Sequence, residues 1–153
     1  MMRWMGLWAG LVACAGGAQD IDTTGTTTLE APDITGVYVA DVVEQDGCEE
    51  AGEGLMDWMT GDLTITGLPD DLSFEFAGDV VVAGSVDTAF EVALADEVTV
   101  GDASFVLSGT GLAYIDAGLW ILDVDLTVDA SSASSEFPDC AVFARFEAGQ
   151  VSE

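Results

Sequence analysis

The sequence predicts an all-β domain, an antiparallel meander of about eight strands with one short helix. Two observations predict this class. Apolar and polar residues alternate with a period of two over much of residues 36–153, which is the pattern of half-buried strands. Short turn sequences, such as Pro69-Asp70-Asp71 and Gly101-Asp102, separate the alternating runs. Strands joined in order by short hairpins favour an up-and-down barrel over a two-sheet sandwich, which remains the alternative.

The predicted strands cover residues 36–45, 62–68, 72–83, 86–94, 97–100, 103–115, 118–129 and 140–147. The clearest one contains Trp120 to Val128, where every second residue is apolar and most residues between are Asp or Thr. Shorter alternating runs are Leu72, Phe74 and Phe76, and Phe90, Val92 and Leu94. Gly84-Ser85 and Asp116-Ala117-Gly118 are predicted turns, whereas Gly78 and Gly109-Thr110-Gly111 are predicted bulges or bends. Only residues 49–59 favour a helix, which we expect to cover one end of the sheet.

The charge of the chain excludes several classes of function. Its 153 residues carry 29 acidic and two basic side chains, with no histidine and no lysine, for a net charge of −27. Without histidine there is no Ser-His or Cys-His nucleophile. Without lysine there is no phosphate-binding loop of the Gly-rich, lysine-ending type. A strongly acidic surface also disfavours nucleic acid as a partner. We therefore predict no enzymatic activity, no cofactor and no nucleic-acid partner.

The first residues form a secretory signal pattern. Arg3 provides a positive start, and a short apolar run follows it from Trp4 to Leu11. The next residues, Leu11-Val12-Ala13-Cys14, resemble the lipobox of bacterial lipoproteins. In that family a signal peptidase cuts before the cysteine, whose sulfur carries a diacylglyceryl group. The resemblance implies lipid attachment at Cys14; an ordinary secretory signal cut after Ala18 is the alternative.

The lipobox implies a division of the chain into three parts. Residues 1–13 are the expected signal peptide, residues 14–35 a lipidated cysteine with a flexible Thr/Gly-rich tether, and residues 36–153 the β domain. Loss of Arg3 leaves 29 acidic side chains against Arg145, a net charge of −28. The resemblance also implies export and anchoring to a membrane through lipid. Because Ala15 is not the aspartate that retains such proteins at the inner membrane, we favour the outer membrane.

Two cysteines remain in an oxidising compartment. Cys48 follows the first predicted strand, and Cys140 begins the last. In a closed meander these strands are antiparallel neighbours, so we predict a disulfide between the two residues. Free or metal-bound thiols are the alternative, but the chain has neither histidine nor a Cys-x-x-Cys pair to complete a metal site.

The β domain is also similar to lipocalins. Gly36-Val37-Tyr38 opens the first strand and Arg145 lies in the last, whereas lipocalins pair a Gly-x-Trp with a late basic residue. Tyr38 here replaces the tryptophan. The similarity implies a cation–π contact between Arg145 and Tyr38. An Arg145 exposed among carboxylates is the alternative.

These features support two hypotheses for function. The first is a structural or interaction module of the cell envelope with a filled core, and the second is a lipocalin-like module that binds a small apolar or amphipathic ligand.

Carboxylate pairs such as Glu49-Glu50, Asp70-Asp71 and Asp123-Asp125 arise freely in so acidic a chain and predict no catalytic dyad. The loop Asp46-Gly47-Cys48-Glu49-Glu50 concentrates oxygen ligands, but its spacing differs from that of the twelve-residue calcium loop. We therefore assign no specific metal site and expect divalent cations to collect diffusely on the acidic surface.

Overall fold

A computed structural model describes residues 29–153, which form eight antiparallel strands closed into a single barrel. The strands are β1 (Gly36–Gly47), β2 (Gly61–Leu68), β3 (Asp71–Phe76), β4 (Val80–Val86), β5 (Glu91–Val100), β6 (Ala103–Asp116), β7 (Leu119–Ser132) and β8 (Cys140–Gln150). Each strand pairs with the next one in sequence, and β1 also pairs with β8. This closure confirms the barrel and excludes the two-sheet sandwich.

Alternation along the strands places one face of each inside the barrel. On β7 the inward side chains of Leu122, Val124, Leu126 and Val128 are completely buried, as their period of two predicts. All eight strands contribute to the core in this way. At β1 the register shifts between Val42 and Glu44, where Val43 is the extra residue of a β-bulge and is exposed.

The middle of the chain differs from the prediction. The predicted strand 72–83 is two strands, β3 and β4, joined by a turn at Ala77-Gly78-Asp79 in which Gly78 and Asp79 have positive φ. The predicted strands 86–94 and 97–100 are replaced by the end of β4 and one continuous β5. Phe90 precedes β5 and is partly exposed, so it does not share the buried face of Val92 and Leu94.

Glycines account for much of this difference. Gly84 was predicted in a turn but lies within β4, where a Cβ would come 2.6 Å from Phe74 Cε2 and 2.6 Å from Leu94 Cδ2. Gly109 and Gly111 are not bulges, because β6 pairs with β7 without interruption. A Cβ at either position would collide with a carbonyl oxygen of β7. These glycines allow neighbouring backbones and side chains to approach closely.

The segment predicted as one helix contains two 3₁₀ turns instead, Glu49–Ala51 and Asp57–Met59. Gly52 and Gly54 separate them, and glycine weakens a continuous helix. The segment does cover one end of the barrel, because Met56 and Met59 are fully buried against the core.

The barrel has two different ends. At the terminal end lie Ile34, the start of β1, the end of β8 and the turns at 69–70, 87–90 and 117–118. At the disulfide end lie residues 48–60 and the connections at 77–79, 101–102 and 133–139. Ile34 is buried at the terminal end, where its carbonyl oxygen accepts a 2.6 Å hydrogen bond from the Tyr38 hydroxyl. Burial raises the pKa of Tyr38, so this hydroxyl stays protonated and keeps donating.

Candidate functional site

The barrel interior is filled by its own side chains. Its largest fully buried members include Tyr38, Phe74, Phe105 and Phe146, which come from four different strands. Within residues 29–153 no buried residue is polar or charged. Small barrels are either packed in this manner or hollow around a ligand. The buried hydroxyl of Tyr38 is already bonded to the Ile34 carbonyl oxygen, so among residues 29–153 the packed interior offers no free polar group to orient a ligand.

The cap segment, residues 48–60, is held at the disulfide end by covalent and polar contacts. Cys48 is bonded to Cys140, the first residue of β8, which confirms the predicted disulfide. Gln45 of β1 accepts a hydrogen bond from the Met56 amide at 3.3 Å through Oε1 and donates one to the Gly52 carbonyl oxygen at 3.5 Å through Nε2. The cap is therefore attached at its start and in its middle.

A cavity of about 600 Å³ lies between the cap segment, the β5–β6 turn and the β7–β8 connection. We call it the end pocket. Its apolar lining includes Leu55, Trp58, Val100, Phe105 and Phe137, and its acidic lining consists of Glu50, Asp102 and Glu136. The three carboxylates are exposed, whereas Phe105 is buried. The end pocket is thus an open cleft with a mainly polar accessible surface, in which the partly exposed Leu55, Trp58 and Phe137 lie beside the carboxylates.

One hydrogen bond joins the two connections at the rim, and a second lies within the β7–β8 segment. The Ala133 amide donates to the Asp102 carbonyl oxygen at 2.8 Å, which ties the β7–β8 connection to the β5–β6 turn. The Glu136 amide donates to Ser132 Oγ at 3.2 Å. Asp102 and Glu136 therefore belong to one connected structure, although they lie far apart in sequence.

Trp58 is the largest aromatic side chain of the end pocket. Its ring lies 5.6 Å from that of Phe76 in an edge-to-face arrangement and 5.6 Å from that of Phe105 in a tilted one. Its indole Nε1 is buried, and among residues 29–153 it has no hydrogen-bond partner. An unpaired buried donor costs about 1–3 kcal/mol. The cap segment is therefore packed well through aromatic contacts but leaves one polar group unsatisfied.

No family model, curated protein or solved structure matches this chain. The chemistry of the end pocket consequently follows from its own residues. Its volume of about 600 Å³ lies in the range of small-molecule sites, but its open shape and mainly polar accessible surface differ from those of a mostly apolar, enclosed pocket. The pocket has no basic lining residue.

The predicted contact between Arg145 and Tyr38 is wrong. Tyr38 points into the barrel and is completely buried, whereas Arg145 lies on the outer wall. The alternation of β1 and β8 places the two side chains on opposite faces of the sheet. Arg145 instead binds Asp123 through two hydrogen bonds and contacts Glu147 at 3.3 Å. Arg145 therefore lies among carboxylates, as the alternative prediction states.

The other acidic candidates do not converge on a common point. Asp70 and Asp71 lie at the terminal end, whereas Glu49 and Glu50 lie in the cap segment. Asp46 Oδ1 accepts a hydrogen bond from the following amide, that of Gly47, at 3.0 Å. Across residues 29–153, no group of three or more Cys, Asp or Glu side chains is arranged to hold a metal ion.

Cys14, the predicted lipid-attachment residue, lies outside the described residues. Within residues 29–153, no helix is long and apolar enough to cross a membrane. Sequence reasoning anticipated the disulfide and the acidic outer face, but it missed Trp58, Phe137, Asp102 and Glu136 as parts of one site. Three separate segments supply these residues, and no spacing in the sequence marks them.

Proposed function

We propose that this chain is an exported lipoprotein, anchored through Cys14, whose acidic barrel is an interaction module of the cell envelope. The observation that supports this role over a lipocalin-like one is the filled interior. Since the inside of the barrel is packed with apolar side chains, recognition takes place on its outer surface and at its ends.

The direction of the chain supports an anchored arrangement. Residues 29–35 enter the barrel at its terminal end, where Ile34 is buried. An anchor at Cys14 would therefore attach the chain to the membrane from the terminal end, which is opposite to the disulfide end and its pocket.

The anchor is tested by labelling cells with a radioactive fatty acid and separating membrane from soluble proteins. We expect the wild type to carry label in the membrane fraction and Cys14→Ser to lose the label and become soluble. The matched control is Cys48→Ser/Cys140→Ser, which removes two cysteines and should keep the label. Membrane-bound, labelled Cys14→Ser protein would overturn the anchor. Density-gradient separation of the two membranes then tests the proposed outer-membrane location.

The interaction role is tested by photo-crosslinking in intact cells. A crosslinking residue is placed at the outward positions Leu112 and Phe143 and at the pocket position Glu136. Discrete crosslinked species from one of these positions would support an interaction module. The absence of any species from all three positions, with the protein folded and exported, would contradict it.

A further inference from the structure

We propose that the end pocket binds a small organic cation with an apolar body, of the alkylammonium or arylammonium class. This inference deepens the proposed function, because it names a ligand for an outer site of the barrel. The partly exposed side chains of Leu55, Trp58 and Phe137 offer apolar contact. Glu50, Asp102 and Glu136 supply negative charge, and no basic residue lines the pocket. An amphipathic cation can use the apolar contact and the negative charge together.

The charges around the pocket select against other ligands. An anion would face Glu50, Asp102 and Glu136 at the rim, in addition to the net negative charge of the whole domain. A neutral apolar molecule in the pocket would remove these carboxylates partly from water without neutralising their charge, which costs free energy. The domain's one basic residue, Arg145, is already bound to Asp123 on the outer wall and does not reach the rim.

Trp58 provides a second attraction for a cation. A quaternary or protonated amine over an indole face gains about 0.5–2 kcal/mol, and tryptophan is the best of the aromatic residues in this respect. Phe105 and Phe137 lie in the same lining.

The size of the pocket matches a small molecule better than a protein segment. Its volume of about 600 Å³ lies within the range of roughly 300–1,000 Å³ that is typical of small-ligand sites. Because the disulfide and Gln45 hold the cap segment, the pocket walls are largely formed before a ligand arrives. Binding therefore requires no folding of a new element.

The test is a calorimetric titration of the full-length chain carrying Cys14→Ser, which avoids detergent. The probe is hexyltrimethylammonium, and the matched probes are hexyl sulfate and hexanol, which have the same chain with a negative or no charge. All titrations use about 0.15 M sodium chloride, where the Debye length is about 8 Å, so that distant charges contribute little. We expect saturable one-to-one binding of the cation, weaker binding of hexanol and none of hexyl sulfate.

Charge-neutral variants locate the site. Asp102→Asn and Glu136→Gln should each weaken binding of hexyltrimethylammonium about two- to fivefold, the range for exposed ion pairs. Asp70→Asn and Asp116→Asn remove the same charge at the terminal end and are the matched controls. Equal weakening by all four variants would show diffuse attraction to an acidic protein and would overturn the proposal. Tight binding of hexyl sulfate would overturn it as well.

Fluorescence provides an independent readout. In a Trp4→Phe/Trp8→Phe/Trp120→Phe background of the same full-length chain, Trp58 is the single tryptophan. Hexyltrimethylammonium should change the Trp58 emission with the same midpoint as the calorimetric titration. Trp58→Phe and Trp58→Tyr should weaken binding while circular dichroism stays that of the folded barrel. Undiminished binding by both folded variants would contradict the role of Trp58.

The outcomes of the two proposals can be separated. If the Cys14→Ser variant stays in the membrane and keeps its label, the proposed lipid anchor is wrong, and the proposed ligand of the end pocket is not affected. Unchanged affinity in Asp102→Asn and Glu136→Gln would overturn the pocket and leave the anchor as it stands.

Discussion

Arg145 of β8 and Asp123 of β7 form a two-point ion pair on the outer wall, with Nε donating to Oδ1 at 2.7 Å and a terminal guanidinium nitrogen donating to Oδ2 at 2.6 Å. Arg145 also contacts Glu147, and its direct neighbours across the strands are Asp125 and Glu44. Asp123 and Glu147 are themselves directly opposite each other. The domain's one cation therefore lies among carboxylates that would otherwise repel one another across three strands.

The ion pair predicts a specific titration. The hydrogen bonds from Arg145 hold the pKa of Asp123 below its ordinary value. A lowered folded-state pKa stabilises the protein above the ordinary aspartate value of about 3.9, and this contribution is lost as pH falls through the folded-state pKa. We expect Arg145→Gln to raise the pKa of Asp123, measured by carboxyl NMR. Asp33 is the internal control, since its pKa is lowered by hydrogen bonds from Thr35 and should not move. An unchanged Asp123 titration would contradict the pairing.

Salt should stabilise the domain. With a net charge of −27, repulsion is stronger in the compact state of the chain than in the expanded one. We expect the thermal midpoint to rise with sodium chloride and then to level off, because the Debye length falls from about 30 Å at 0.01 M to about 3 Å at 1 M. Calcium in constant salt should add a gradual shift, whereas a saturable, stoichiometric step would reveal a specific site. A flat midpoint across the sodium series would show that the carboxylates are too dispersed to matter.

The disulfide should contribute strongly to stability. It joins residues 92 positions apart, and a link that closes so long a loop is worth about 2–5 kcal/mol. We expect Cys48→Ala/Cys140→Ala to lower the free energy of unfolding in urea by that amount. The wild type with reductant should behave like the variant, while the variant itself should not respond to reductant. Equal stability of oxidised wild type and variant would contradict a stabilising link.

Gly84 should resist substitution. A Cβ there would come 2.6 Å from side-chain atoms of Phe74 and Leu94 and 2.7 Å from the Ala93 carbonyl oxygen. We expect Gly84→Ala to destabilise the domain by about 1–3 kcal/mol, the usual cost of overpacking. Gly149→Ala is the matched control, because a Cβ at Gly149 meets only Ile121 Cδ1 at 3.6 Å. Comparable urea midpoints for the two variants would contradict the close approach.

The sequence predicts the barrel well where one face of a strand is buried and the other is charged. On β7 the alternation from Leu122 to Val128 determines which face is inside, and the positions of Cys48 and Cys140 predict which strands close the barrel. Around Gly78 and Gly84 the same reasoning fails. Gly78 lies in a turn and Gly84 lies within a strand, but the sequence does not distinguish the two cases. Only the structure shows that Phe74 comes too close to Gly84 for a larger residue there.

The end pocket could not be predicted from the sequence for a different reason. Trp58, Asp102 and Glu136 belong to three connections whose meeting depends on the closure of the whole barrel. The alternation of β8 itself places Arg145 on the outer face, between the buried Ala144 and Phe146. The predicted contact with Tyr38 was wrong because it rested on the similarity to lipocalins and not on this alternation.

Because β1 pairs with β8, every strand of the barrel has a neighbour on both sides, although β1 pairs with β2 only from Gly36 to Ala40 and β4 with β5 only from Gly84 to Val86. Open strand edges are templates for the growth of intermolecular sheets. The Cys48–Cys140 link joins β1 and β8, the neighbouring strands that no hairpin connects, and their separation would open the barrel and expose two edges. Its loss would therefore endanger solubility as well as stability, most of all at high salt, where charge no longer keeps exposed edges of separate molecules apart.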